Sequence, residues 1–405
     1  MDWSFLTNSN SISVSTDTRN LPAGCVFFAL HGETFDGNRF AQQALNQGAR
    51  LVVVDNAEVK AAIGERAILV NDTLLALQEL AREWRRALGI RVIGITGTNG
   101  KTTTKELTAA VLQTQYKLLY TQGNLNNSIG VPLTVLRITR EHELALIEMG
   151  ASHPGDIEEL VNICEPNCGL ITNVGKAHLQ GFGSFEGVMQ TKKELYDFLA
   201  AHGGFCFRNL DNPYLKEMAG DLPTIGYHTG EMLSGTKLVG AYNSENIQAA
   251  ICVGEYFGIP REQAEAAIRE YVPQNNRSQL LHTEHNTVVV DAYNANVTSM
   301  NAAIRSFEGD TLILGDMREL GEYSAAEHQA IIDYIKHLPL KEVMLVGEEF
   351  GKTECPDSAA TEPSFCKFVD ADALIEHLKE QPIAGRQILL KASHGIHLEK
   401  VIPYL

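Results

Sequence analysis

The 405-residue chain has no run approaching the ~18 consecutive apolar residues that a membrane-crossing helix requires. Its opening, Met1-Asp2-Trp3-Ser4-Phe5-Leu6, lacks the basic stretch and apolar core of a secretion signal, so a cytoplasmic protein without membrane insertion is expected. Positive charge is scarce, with 33 Lys and Arg against 50 Asp and Glu and a net charge of −17. That balance argues against nonspecific binding to nucleic acid or anionic membranes, and no nucleic-acid partner is expected. A phosphate-rich ligand must then be drawn in by local positive sites. The seven cysteines are scattered and odd in number, which suits reduced thiols. Cys164 and Cys168 form a near pair, but no second pair follows at zinc-site spacing. Internal repeats and low-complexity tracts are missing too. The length predicts two to three domains at about 100–200 residues each.

What is present centres on Gly94-Ile95-Thr96-Gly97-Thr98-Asn99-Gly100-Lys101-Thr102-Thr103-Thr104-Lys105-Glu106. An apolar strand signal over 92–95 runs into a glycine-rich turn, and a helical pattern follows with Leu107, Ala110 and Val111 on one face. Glycines let backbone N–H groups close around phosphate oxygens, the helix N-terminus adds positive potential, and Lys101 adds a full charge. Thr102 puts a hydroxyl where a phosphate-bound Mg²⁺ sits in such loops. The glycines fall at 94, 97 and 100, so the standard spacing is only partly met. A strand-to-helix turn that is merely glycine-rich is the bland alternative. A dinucleotide fingerprint fits worse, because it wants an acidic residue ~20 positions on, and Asp and Glu are both absent from Val111 to Val131. A nucleoside triphosphate site is the expectation.

The rest of the chain reads as α/β throughout. Residues 1–88 form a small N-terminal α/β unit with short strands at 26–30, 51–54 and 67–70, closed by a helix over 73–88. Residues 89–275 alternate strands and helices as in a mostly parallel sheet, with strands at 92–95, 117–120, 144–149, 169–173 and 205–208. Residues 276–405 repeat the theme as a doubly wound, Rossmann-like sheet, with strands at 287–291, 311–315, 342–346 and 387–391. Polar clusters follow several strands directly: Glu148, then Asn173 to His178, Asp291 to Asn296, Asp316 to Glu319, and Lys391 to His394. Open sheets place ligand contacts at such strand ends. Taken alone, His178 reads as an ordinary loop histidine and the pair Lys192-Lys193 as a solvated helix face.

These stretches together resemble one family, the Mur ligases, the ATP-dependent amide-bond ligases of peptidoglycan precursor synthesis. The resemblance covers essentially the whole chain. It is carried by Asp17-Thr18-Arg19, Phe27 to Leu30 and Asp36-Gly37; by Thr96 to Thr103, Gly123 to Asn127 and Glu148-Met149-Gly150; and by Asn173 to Leu179 and Lys192 to Leu195. Asn243 with Asn246, Asp291 to Asn296 and Leu314 to Glu322 complete it. Within the family, the Tyr293-Asn294-Ala295-Asn296 cluster and the Gly-Asp-Met-x-Glu-Leu-Gly run look like the member that takes UDP-MurNAc-tripeptide and D-alanyl-D-alanine.

The resemblance implies three domains: an N-terminal one for the uridine nucleotide, a central ATPase, and a mobile C-terminal one that brings the amino substrate. It implies that Gly97, Thr98, Asn99, Gly100, Lys101, Thr102 and Thr103 cradle the ATP phosphates. Asn246 and Asp291 fall at the adenine and ribose, and Arg277 at the transferred phosphate. Two Mg²⁺ ions are implied, held by Thr102, Glu148, His178 and a carbamylated Lys192; Lys101, Lys192 and His178 form the catalytic set. Thr18 and Arg19 fall at the uridine nucleotide, and Asn126 and Asn127 near the muramyl peptide. A monomer is expected. Three departures stand out: Asn38 where His is usual, Val297 where Pro is usual, and Lys391-Ala392-Ser393-His394 in place of Lys-Gly-Ser-Arg. His at 394 offers neither a permanent charge nor a fork for a carboxylate.

Other readings are open to discrimination. A sister ligase or a folylpolyglutamate synthetase-like enzyme would share the chemistry but not the Tyr293–Asn296 cluster. A GTPase-like switch would need an Asn-Lys-x-Asp segment, which the chain lacks. A catalytically dead scaffold fits poorly with intact Lys101, Glu148, His178 and Lys192.

Overall fold

The molecule is described by a computed structural model covering residues 2–32, 34–177, 179–274, 276–356 and 363–405. Its strands sort into three sheets, one for each α/β stretch read in the sequence. The first holds β1 (Val14–Ser15), β2 (Val26–Phe28), β3 (Leu51–Val54) and β4 (Ala67–Leu69), in that order and all parallel. The second comprises β5 (Arg91–Thr96), β6 (Leu118–Tyr120), β7 (Leu144–Glu148), β8 (Cys168–Ile171), β9 (Phe205–Asn209) and β10 (Thr224–Tyr227). Its order is β10-β9-β8-β5-β7-β6, again all parallel. The third comprises β11 (Gln279–His282), β12 (Thr287–Asp291), β13 (Thr311–Gly315), β14 (Glu342–Val346), β15 (Ser364–Phe368) and β16 (Gln387–Lys391). Its order is β11-β12-β16-β13-β14-β15, parallel except for the antiparallel edge strand β11.

Four strands were not expected from the sequence: β1, β10, β11 and β15. All are edge strands, which bury less and so carry weaker apolar patterns; β11 alternates only between half-buried and exposed positions. The central strands β5, β7 and β8 are buried almost end to end, which is why their continuous apolar runs were legible.

The helix Thr73–Leu88 joins the first two sheets. Asp72 caps its start by accepting from Leu75 N, and Gly89, at φ 62°, ends it in the left-handed conformation. Its inner face is welded to the middle of the chain: Trp84 Nε1 donates to Ile138 O at 2.8 Å. Buried Arg85 donates to the carbonyls of Cys164 and Glu165 and to Asn167 Oδ1. One continuous hydrophobic cluster therefore runs from Trp3 and Phe28 through Trp84 to Val92 and Ile147.

In the second sheet the chain leaves β5 toward β7 and β6, then returns to β8 on the other side of β5. Such a reversal opens a crevice at the carboxyl ends of the two neighbouring strands. The glycine-rich loop follows β5 into that crevice.

Candidate active site

Strand β5 delivers the loop 97–100, and the helix Lys101–Leu112 carries the chain away. Two glycines are there by necessity. Gly97 has φ 141° and a Cβ on it would lie 2.0 Å from Thr172 Oγ1; Gly100 has φ 78° and its Cβ would lie 2.4 Å from Asn246 Oδ1. The loop is braced from the end of β8. Thr98 N donates to Asn173 O at 2.9 Å and Asn99 N to Asn173 Oδ1 at 3.0 Å. Thr172 Oγ1 donates to Asn99 O at 2.6 Å, and Gly175 N to Thr98 Oγ1 at 3.0 Å. The amides of Thr98 and Asn99 thus hold the loop in shape. The N–H groups of Lys101, Thr102 and Thr103, in the first helical turn, have no intrahelical acceptor, which leaves them suited to an anion.

Lys101 Nζ donates to the carbonyls of Gly97 and Thr98 at 2.7 and 3.0 Å, folding back over its own loop. Desolvation lowers its pKa to about 8, with Glu148 opposing and Arg277 adding to the shift. Glu148, at the end of β7, is 1% exposed. Its Oε1 accepts from Thr102 Oγ1 at 3.2 Å and from Asn126 Nδ2 at 2.8 Å. Its Oε2 is buried with no hydrogen-bond partner, 3.7 Å from the equally buried Nζ of Lys105. An unsatisfied carboxylate oxygen beside a threonine hydroxyl at a phosphate loop has the chemistry of a hard-cation ligand pair.

A cavity of 920 Å³ spans the second and third sheets. Thr98 to Thr103, Asn126, Asn127, Glu148, Asn246, Arg277 and Asp291 all line it, so most of the expected site residues are brought together. Asn127 spends its side-chain oxygen on the amides of Ile129 and Gly130, in the turn that leads into the helix Gly130–Leu136. Asn246 accepts from Thr104 Oγ1 at 3.0 Å and donates to Asn243 Oδ1 at 2.9 Å, so it also backs Gly100. Across the cavity, Asp291 at the end of β12 pairs with Lys391 Nζ at the end of β16 at 2.5 Å. Arg277 lies over the Tyr293 ring at 3.9 Å from its centroid.

Three expected residues stand apart. Lys192 is 2% exposed on the helix Phe185–Ala201 and does not line the cavity; its ammonium is 5.5 Å from the Phe182 ring centroid. Burial, reinforced by the charge of Lys101, pushes its pKa well below the usual lysine range. Thr18 and Arg19 follow β1 on the first sheet, outside the cavity, where Arg19 is exposed and paired with Asp17 at 2.6 Å. His178 lies outside the described residues. Nearby on the first sheet, Asn38 bridges two carboxylates, donating to Asp36 Oδ1 at 3.0 Å and Asp55 Oδ1 at 2.7 Å. Among the described residues no group of three or more His, Cys, Asp and Glu could hold a metal ion.

Sequence reading missed the braces Thr172 and Asn173 and the Asp291–Lys391 pair, because each acts across strands rather than along one. Their only signal was position, at the carboxyl ends of predicted strands.

The family models for the Mur ligase catalytic domain, middle domain and glutamate ligase domain match residues 12–85, 95–231 and 276–394. The UDP-N-acetylmuramoyl-tripeptide–D-alanyl-D-alanine ligase of Bacillus subtilis is 36% identical, over 96% of this chain and 92% of that protein. The Escherichia coli ligase of the same name is 33% identical over 96% and 92%. Among solved structures, MurF from Thermotoga maritima in complex with ADP superposes with a TM-score of 0.84 at 25% identity, covering 97% of both chains. MurF from Acinetobacter baumannii gives 0.83 at 28%, over 96% and 92%.

Proposed function

The chain belongs to the Mur ligase family, and from that premise we propose that it uses ATP to join D-alanyl-D-alanine to UDP-N-acetylmuramoyl-tripeptide in peptidoglycan precursor synthesis. The observation that carries the reading is the single cavity in which Lys101 and Thr102 of the phosphate loop face Arg277 and Asp291 of the third sheet.

The terminal carboxylate of the tripeptide attacks the γ-phosphorus of ATP, a P–O bond forms, and ADP leaves. The amine of the dipeptide then attacks the acyl carbon and displaces phosphate. Triphosphate and carboxylate repel each other, so the protein's work is positioning and charge neutralisation. Gly97 to Thr103 hold the phosphates, with Lys101 swinging from its loop carbonyls onto them. Arg277 takes the transferred phosphate, Asn246 and Asp291 the adenosine, Asn126 and Asn127 the muramyl peptide, and Thr18 and Arg19 the uridine nucleotide.

The buried Glu148 Oε2, which accepts no hydrogen bond and lies 3.7 Å from Lys105 Nζ, suits Mg²⁺ together with the Thr102 hydroxyl. When bound, two such ions would offset phosphate charge and orient the γ-phosphate. For the second, Lys192 is suited to become a ligand: burial disfavours its charged ammonium form, and it is the neutral amine that adds CO₂ to give a carbamate and a proton. His178 completes the proposed set.

The same reading takes residues 1–88, 89–275 and 276–405 as the three working domains and the enzyme as a cytoplasmic monomer. No helix among the described residues is long and apolar enough to cross a membrane. Light scattering should return a single species near 44.4 kDa. The activity itself is tested by ADP release, which should require both UDP-MurNAc-tripeptide and D-alanyl-D-alanine. Equal turnover with a single amino acid as acceptor would reject the assignment.

A further inference from the structure

The residues given to ATP leave the amino substrate without a cation. A free dipeptide carries a carboxylate that must be desolvated on binding, and a fixed guanidinium offsets that best through two parallel N–H···O bonds. Lys101, Arg277, Arg318 and Lys391 line the shared cavity. Lys101 is held by its loop, Lys391 by Asp291, and Arg277 lies on Tyr293. Arg318 is exposed, and among the described residues it pairs with no carboxylate.

Its placement is fixed on several sides. Arg318 follows β13, and its backbone N–H donates to Ser393 Oγ at 3.0 Å. Its Nη2 donates to Gly395 O at 2.9 Å, which leaves the rest of the fork open. A Cβ on Gly395 would lie 2.3 Å from Arg318 Nη1, so the guanidinium rests directly on the backbone of that turn. The next residue, Glu319, sits at φ 65°, a conformation that non-glycine residues adopt only when surrounding contacts impose it. Gln180 N, from the middle of the chain, reaches Glu319 O at 3.5 Å.

The turn that Arg318 covers is 393–395. It carries His394, stacked on Tyr293 at 5.4 Å between ring centroids, where the family resemblance leads one to expect Arg. Arg318, Glu319 and Gly395 also line a second cavity of 830 Å³, so the guanidinium stands at the junction of the two.

The geometry points to Arg318 as the receptor for the carboxylate end of the incoming dipeptide, replacing in space the guanidinium that position 394 lacks. This rests on the ligase reading above. The carboxylate is held at the junction while the amine faces the phosphate loop.

The test compares D-alanyl-D-alanine with its C-terminal amide in steady-state kinetics. The wild-type protein should show a KM at least tenfold higher for the amide. Arg318→Ala should raise the KM for the acid about 10- to 100-fold, the loss of a charged hydrogen-bonded contact. It should leave the KM values for ATP and tripeptide within twofold, and acid and amide should become equivalent. Arg318→Lys, which keeps the charge and guards against misfolding of the alanine variant, should lose at least fivefold. His394→Arg added to Arg318→Ala should restore the preference for the acid. An unchanged KM for the acid in both Arg318 variants, or a preserved acid-to-amide ratio, overturns the inference and leaves the ligase reading standing. A wild-type protein that does not turn over the dipeptide rejects the ligase reading, and this inference with it.

Discussion

The carboxamides of Asn99 and Asn296 are hydrogen-bonded to each other: Asn296 Nδ2 donates to Asn99 Oδ1 at 2.7 Å, and Asn99 Nδ2 to Asn296 Oδ1 at 3.4 Å. Asn99 belongs to the phosphate loop; Asn296 caps the helix Val297–Arg305 by accepting from Ser299 N at 2.9 Å. The pair ties the position of the third sheet to the loop proposed to hold ATP. Asp at 296 keeps the cap but cannot donate to Asn99. Asn296→Asp should therefore lower kcat about tenfold, the worth of one lost hydrogen bond, with the melting temperature near that of the wild type. Asn296→Ala should lose the cap as well, at about 1 kcal/mol, and melt a few degrees lower. Calorimetry and initial rates on the two variants separate these effects.

Glu148 accepts from Thr102 and Asn126 through one oxygen and leaves the other buried without a hydrogen bond. Glu148→Gln keeps the shape and removes the charge. The Mg²⁺ concentration for half-maximal ADP release should rise at least tenfold, and Mn²⁺ binding followed by electron paramagnetic resonance should weaken in parallel. Unchanged metal dependence would remove Glu148 from the metal site.

Lys192 should carry CO₂. With ¹³C-bicarbonate the wild-type protein should show a carbamate carbon resonance that Lys192→Gln lacks. Activity in that variant should fall by about 100-fold or more, the scale of losing one group that stabilises transition-state charge. Partial recovery with added short-chain carboxylic acids would follow from the same role.

Burial pushes the thiols of Cys164 and Cys168 up to about 12 and that of Cys252 up to about 11. Alkylation of the native protein at pH 8 should therefore be confined to the half-buried Cys355 and Cys366, and the other five thiols should react only on unfolding. An unfolded chain loses these protons near pH 8.5. The folded state then binds more protons, so stability falls as pH rises from about 8.5 toward 12. Cys164→Ala should show a shallower fall in melting temperature between pH 8 and pH 10 than the wild type.

The glycine-rich turn after β5 and the strands around it were legible because their signals are local. Gly97, Gly100 and Lys101 announce themselves in a few residues, and β5, β7 and β8 are buried along nearly their whole length. The burial of Lys192, a residue singled out only by the family resemblance, was not legible: its neighbours Lys193 and Glu194 suggest a solvated face, and only the packed structure shows it 2% exposed. The contacts that shape the cavity join residues far apart in sequence. Asn99 and Asn296 are 197 positions apart, and Asp291 and Lys391 are 100 apart. No local pattern encodes such pairs: strand order places β12 beside β16 and so brings Asp291 to Lys391, whereas Asn99 and Asn296 follow strands of two different sheets. The weakly patterned edge strands β1, β10, β11 and β15 escaped for the related reason that half their surface faces water.

Phosphorylation of a substrate carboxylate at Lys101 and Thr102 is tested most directly by following oxygen. UDP-MurNAc-tripeptide labelled with ¹⁸O in its terminal carboxylate should, on turnover with ATP and D-alanyl-D-alanine, yield inorganic phosphate carrying one ¹⁸O atom. Phosphate free of label, alongside normal product formation, would contradict the acyl-phosphate route and the role given to the phosphate loop.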